Sequence, residues 1–252
     1  MAKATKKRIM NYVYRIIPTL LLCLFTLSSC SSQTLGGVLD KANEVLGGGL
    51  TEDQIGEGLK QALNKGVDES VSFLSAEDGY YESIYKILLP EEAQKVTSKL
   101  RAVPGFANVE ANLIEKLNRA AEGAASKAGP IFLGAIKQMT FRDVTDILMG
   151  EDDAATRFLE RTTYDSLYAE FRPVIIQSLD EVNARTYWSE AVNAYNKIPF
   201  TQDVNPELDD YVANKALEGL FALVEKKEAE IRENPAARTT DLLRKVFAKQ
   251  DQ

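Results

Sequence analysis

The chain has 252 residues, carries 30 Lys and Arg against 37 Asp and Glu, and contains two cysteines and no histidine. Without histidine there is no Ser-His-Asp or Cys-His arrangement, no HExxH motif and no Cys/His zinc site, and the acidic balance argues against a binder of nucleic acid or anionic lipid. The chemistry left open runs through carboxylates, lysine, tyrosine or arginine: a glycosidase-like acid pair, a Ser-Lys dyad or an oxygen-ligand Ca²⁺ site.

The first fifteen residues hold Lys3, Lys6, Lys7, Arg8 and Arg15 and no acid, and the apolar run Ile16 to Leu27 follows. This is the layout of a bacterial secretory signal. The run has twelve residues, short of the roughly 20 that a spanning helix needs. Leu27-Ser28-Ser29-Cys30 then reads as a lipobox, with small serines that enter a peptidase site and a Cys30 thiol that receives the diacylglyceryl group. Residues 1–29 are expected to be cleaved, leaving Cys30 acylated at the new N-terminus; several chains anchor stably where one is marginal. Ser31 stands where an aspartate would retain an enteric-type lipoprotein at the inner membrane, which points to the outer membrane. The neutral Ser31-Ser32-Gln33-Thr34 favours its periplasmic side. The remaining 223 residues would carry 25 Lys and Arg against 37 Asp and Glu, a net charge of −12, and are enough for one sizeable core.

Residues 30–49 are expected to form the lipidated cysteine and a short flexible tether, with a small helix over Val38 to Leu46 before Gly47-Gly48-Gly49. Thr51-Glu52-Asp53-Gln54 fits a capping box, and Ile55, Leu59, Ala62, Leu63, Val67, Val71 and Leu74 recur at helical spacing. Ala76 to Tyr81 reads as a turn and Tyr85 to Leu89 as an extended piece; Pro90 opens a helix toward Pro104-Gly105. Val109 to Lys127 is predicted helical, its small-residue second half packed centrally, and Pro130 restarts a helix through Met139. Thr140 to Asp143 caps the next, which Gly150 ends, and Glu151-Asp152-Asp153 opens a helix through Phe171 that is expected to break near Pro173. Helical spacing continues from Val174 to Asn196. A loop at Ile198-Pro199-Phe200 precedes a long helix from Asn205-Pro206 to about Glu233, and a short one closes the chain over Asp241 to Ala248. The predicted fold is all-α: a single compact multi-helix bundle over residues 50–248.

Several strings resemble, in order, a family of exported bacterial proteins known as domain of unknown function 4197. They are Asp78-Gly79-Tyr80, Leu89-Pro90, Asn118-Arg119-Ala120-Ala121-Glu122, Pro130-Ile131-Phe132, Ala135 to Thr140, Asp152 to Thr156, Tyr211-Val212, Lys215-Ala216-Leu217, Gly219-Leu220-Phe221 and Arg238 to Leu243. The resemblance implies a helical domain behind a signal or lipoprotein leader and brings no activity to any residue.

Asn118, Arg119 and Glu122 lie within one turn of each other and form either a buried polar network or a ligand cluster in which Arg119 grips an anion and Glu122 orients it. Glu151, Asp152, Asp153 and Thr156 offer oxygens for Ca²⁺, but without the spacing of an EF-hand loop, so Asp152 or Asp153 is expected to cap a helix. Arg238, ahead of a capping Thr239-Thr240-Asp241, could with Arg232 receive a carboxylate or phosphate; Tyr80, Tyr81, Tyr85 and Trp188 either pack or line a groove. Neither a cofactor nor a metal is expected. The leading functional reading is a non-enzymatic envelope lipoprotein, held to the membrane through Cys30 and presenting a binding surface to an envelope protein or hydrophobic ligand, with no nucleic-acid partner. One alternative is a carboxylate-dependent hydrolase of envelope glycan with Glu122, Asp143 and Asp153 as candidate acids; another is a carrier of a hydrophobic ligand.

Overall fold

In the computed structural model, the residues described are 50–91, 93–94, 108–196, 199, 205 and 207–248. The leader, the lipobox with Cys30, the tether and its Val38 to Leu46 helix, the course of the Pro90 helix toward Pro104-Gly105 and most of the loop around Pro199 lie outside them.

Helix α1, Glu52–Leu74, buries Leu59, Ala62, Leu63, Val67 and Leu74 along one face, as their spacing predicts. Segment 75–90 then crosses the bundle as turns followed by irregular backbone, with no strand, and buries Tyr80, Ile87 and Leu89. Helix α2, Val109–Ala125, follows. Its Leu117, Ala120, Ala121, Ala124 and Ala125 are fully buried, so the small-residue half is indeed a central element against which neighbours approach closely. Helix α3 is Ala128–Gln138, with Pro130 in its first turn. Helix α4 is Phe141–Leu148; Thr140 Oγ1 accepts from the Asp143 amide and the Asp143 carboxylate accepts from the Thr140 amide, which makes the expected capping box.

Helix α5, Ala154–Asp180, departs from expectation, because it runs uninterrupted through Pro173. Leu167, Phe171, Ile175 and Leu179 are fully buried on both sides of the proline, while Pro173 and Ala169, whose carbonyl loses its partner, face water. Tertiary packing therefore outweighs the proline, and solvent serves the orphaned carbonyl. The break falls instead at residues 181–183, where Asn183 adopts the left-handed conformation (φ 53°). Helix α6, Ala184–Tyr195, precedes the long α7, Leu208–Glu233, which gives way to a 3₁₀ turn, Pro235–Ala237. Helix α8, Asp241–Phe247, is capped by Thr240 Oγ1, which accepts from the Leu243 amide at 3.1 Å.

The described residues from Glu52 onward form one all-α unit of eight helices. The most extensive helix contact joins α5 to α7; α5 also packs on α2, α3, α4 and α6, and α1 lies against α7, α3, α8 and α4. Phe132 of α3 meets Phe221 of α7 edge-on at 5.8 Å between ring centres, and Tyr164 of α5 stacks on the same ring. No described helix is long and apolar enough to cross a membrane.

Candidate functional site

Asn118, Arg119 and Glu122 converge, and what they converge on is the segment after α1. Gly79 has no room for a side chain, since a Cβ there would run into the Phe73 carbonyl oxygen, and Asp78 before it holds φ 67°. This tight turn aims the amides of Tyr80 and Tyr81 at α2, and Glu122 Oε1 accepts both at 3.1 Å. Glu122 Oε2 takes the Arg119 guanidinium at 2.8 Å, and Arg119 reaches on to Asp78 at 2.7 Å. Asn118 accepts from the Ile87 amide at 2.8 Å and returns its own amide to the Ile87 carbonyl at 2.9 Å, as a neighbouring strand would. The Tyr80 phenol, fully buried, donates to the Ala216 carbonyl on α7 at 2.7 Å; burial and the nearby Glu122 charge raise its pKa well above the tyrosine norm. Glu122 is buried, whereas Arg119 keeps 29% of its side chain exposed. The bonds that Arg119 donates to Glu122 and to Asp78 hold it charged, its pKa raised. The cluster braces a segment of irregular backbone on the helical core.

A second buried carboxylate does the same work elsewhere. Glu228 of α7 reaches the N-terminus of α5, where its oxygens accept the amides of Ala155 and Thr156 at 3.0 and 2.8 Å and the Thr156 hydroxyl at 2.8 Å. Arg232, one turn on, bonds Glu228 at 2.7 Å and the Ile147 carbonyl at 3.0 Å. The expected cap by Asp152 or Asp153 is therefore not made: the Asp153 side chain gives α5 no capping hydrogen bond and pairs with Arg157 at 2.7 Å instead. That pairing keeps the Asp153 carboxyl below its usual pKa. Glu228 is the functional-looking residue that sequence reasoning missed. Its signal was a charged side chain inside the apolar stripe Val224, Glu228, Ile231, where an acid belongs only if something meets it.

Of the other candidates, Asp143 is placed apart from these clusters, whereas Arg238 adjoins Arg232 and Tyr81 adjoins Arg119. Asp143 sits in its capping box, and the bonds from Thr140 lower its pKa. Arg238 is 1% exposed and donates to the carbonyls of Ile231 and Arg232 at 2.9 and 2.7 Å, closing the C-terminus of α7, while Arg232 faces Glu228. The two arginines thus point at carbonyls and a carboxylate of the chain itself. Tyr81 lies under Lys86 and Arg119, Tyr85 meets Phe73 edge-on, and Trp188 on α6 donates to the Asn205 carbonyl at 3.2 Å. Each of these aromatics, Tyr80 included, has a ring or hydrogen-bond partner of its own within the protein. A third polar cluster, also unforeseen, surrounds buried Asp209 at the start of α7, which accepts Arg172 at 2.7 Å and Arg185 at 2.9 Å. Burial pushes the Asp209 carboxyl up, but the two guanidinium bonds outweigh it and leave its pKa low.

Among the described residues no three Asp, Glu or Cys side chains are grouped to hold a metal ion. A void of about 20 Å³ between α1, α5, α7 and α8, lined by Leu63, Val67, Leu159, Val224 and the Glu228–Arg232 pair, has room for about one water molecule and none for an acyl chain. A family described as protein of unknown function (DUF4197) matches residues 49–248. Among curated proteins and among solved structures no match is found.

Proposed function

Because the chain belongs to the DUF4197 family, whose activity is unassigned, we propose from its own residues that it is an envelope lipoprotein: a non-catalytic helical binding module tied through an acylated Cys30 to the periplasmic face of the outer membrane. The observation that carries the non-catalytic half is the commitment of the candidate acids. Glu122 spends both oxygens on Tyr80, Tyr81 and Arg119; Asp143 serves the α4 cap; Asp153 is held by Arg157. A glycan hydrolase needs two carboxyl groups about 5–10 Å apart across an open cleft, one of them free to give a proton, and these three sit on α2, α4 and the start of α5 in separate local networks. The anchoring half rests on the basic start, the twelve-residue apolar run and Leu27-Ser28-Ser29-Cys30.

Metabolic labelling with radioactive palmitate, followed by membrane fractionation, tests the anchor. The wild-type chain is expected to take up label and sediment with outer membranes, and Cys30→Ser to lose the label and fractionate as soluble protein or as unprocessed precursor. Label retained by Cys30→Ser would sink the reading. Crosslinking in living cells is expected to recover a second envelope component with the anchored protein.

A further inference from the structure

We propose that segment 76–90 is a membrane-facing edge, and that Ile84, Leu88 and Phe73 insert into a zwitterionic lipid surface; this rests on the anchoring of Cys30 proposed above. Ile84 is 85% exposed, Leu88 53% and Phe73 50%. Such side chains on a slack loop would fold back and hide, but this one has no slack. Glu122 and Asn118 grip it at Tyr80–Tyr81 and at Ile87, and Tyr211 donates to the Leu88 carbonyl at 2.8 Å. Between those grips the Lys86 amide closes a turn on the Ser83 carbonyl at 3.2 Å, and the Tyr85 amide bonds Ser83 Oγ at 3.1 Å. The buried polar network thus holds an isoleucine out in water, a cost that burial elsewhere would repay.

The surroundings suit an interface. Tyr85 meets Phe73 edge-on at 6.4 Å between ring centres, and Lys86 lies 3.9 Å above the Tyr81 ring, so aromatic bodies with polar tips flank the apolar side chains. Reach is sufficient. The twenty residues from Cys30 to 49 span up to about 70 Å when extended, and α1 separates its first turn from Phe73 by about 30 Å. A surface already tethered to the chain needs little affinity from each inserted side chain, since anchoring raises its effective concentration. Charge selects the lipid class: Glu82 is paired with Lys86 and Glu77 faces Arg119, each at 3.9 Å, so the edge offers an anionic surface no free basic patch, and the anchored chain as a whole would carry −12; the attraction is therefore apolar.

The test uses the full lipidated protein in phosphatidylcholine vesicles. Ile84→Cys and, as reference, Tyr187→Cys on α6 are each labelled with an environment-sensitive dye; both positions are largely exposed, so neither change disturbs the core. The only other cysteine expected after cleavage is the acylated Cys30. A lipid-borne quencher is expected to quench the dye at 84 severalfold more than that at 187, and the difference to shrink as phosphatidylglycerol replaces phosphatidylcholine. Protein that floats with the vesicles while both dyes are quenched equally overturns the membrane-facing edge and leaves the anchor standing. Protein that does not float overturns the anchor and the edge with it. A dye at 84 shielded before vesicles are added assigns the surface to a second copy of the chain and also overturns the proposal.

Discussion

Glu228 shows how much a single carboxylate can hold. Its two oxygens receive two backbone amides, a hydroxyl and a guanidinium, and deletion would leave Arg232 buried and unpaired and the first amides of α5 without acceptors. Breaking a buried pair from one side costs about 3–5 kcal/mol, so Glu228→Ala is expected to lower unfolding free energy by that amount in urea titration. At Gly79 the expected loss has another cause: Gly79→Ala drives a Cβ into the Phe73 carbonyl, and the melting temperature should fall with the amides of Tyr80 and Tyr81 pulled off Glu122. The triad Asn118, Arg119 and Glu122 was legible as a polar constellation because its members are neighbours on one helix. What it grips was not, since Tyr80 and Ile87 lie 42 and 31 residues away and no local pattern records such a pairing.

At the scale of elements, caps and periodicity carried well where the partner is within a turn, as at Thr140–Asp143 and Thr240–Leu243. Thr140→Ala is expected to cost about 1 kcal/mol, the usual value of a lost N-cap. Two sites escaped for one reason, namely that tertiary contacts overrode the local signal. The acids at 151–153 look like a cap for α5, but a side chain from α7 arrives first; Pro173 looks like a terminus, but the residues flanking it are worth more buried in one continuous helix. Pro173→Ala, which restores the missing amide on an exposed face, should therefore stabilise the protein, by about 1–3 kcal/mol once the freer unfolded chain is allowed for. A lower midpoint in the same denaturant titration would mean that α5 needs a bend there.

The whole molecule has no histidine, so little of its charge changes between pH 6 and 8, and stability is expected to be nearly flat across that window. Acid is different. The Asp209 carboxyl is held below its unfolded value of about 3.9 by Arg172 and Arg185, so the stability it lends is complete above that value and drains away as pH falls through the lower folded one. Urea midpoints measured from pH 7 to pH 2 should fall below about pH 4, and Asp209→Asn should be less stable at pH 7 yet show a shallower acid decline. The all-α class could be read from hydrophobic spacing, because each described helix buries a stripe wide enough to dominate its own sequence.

Asn118 offers Ile87 both halves of a peptide group, and Glu122 takes the two amides that open the same stretch. Those three N–H groups belong to a segment without regular structure, yet deuterium should reach them as slowly as it reaches the middle of α2, releasing only when the bundle opens as a whole. In an exchange experiment, then, residues 80, 81 and 87 would keep time with the core, while Ile84, a few positions away and held out in water, exchanges at once.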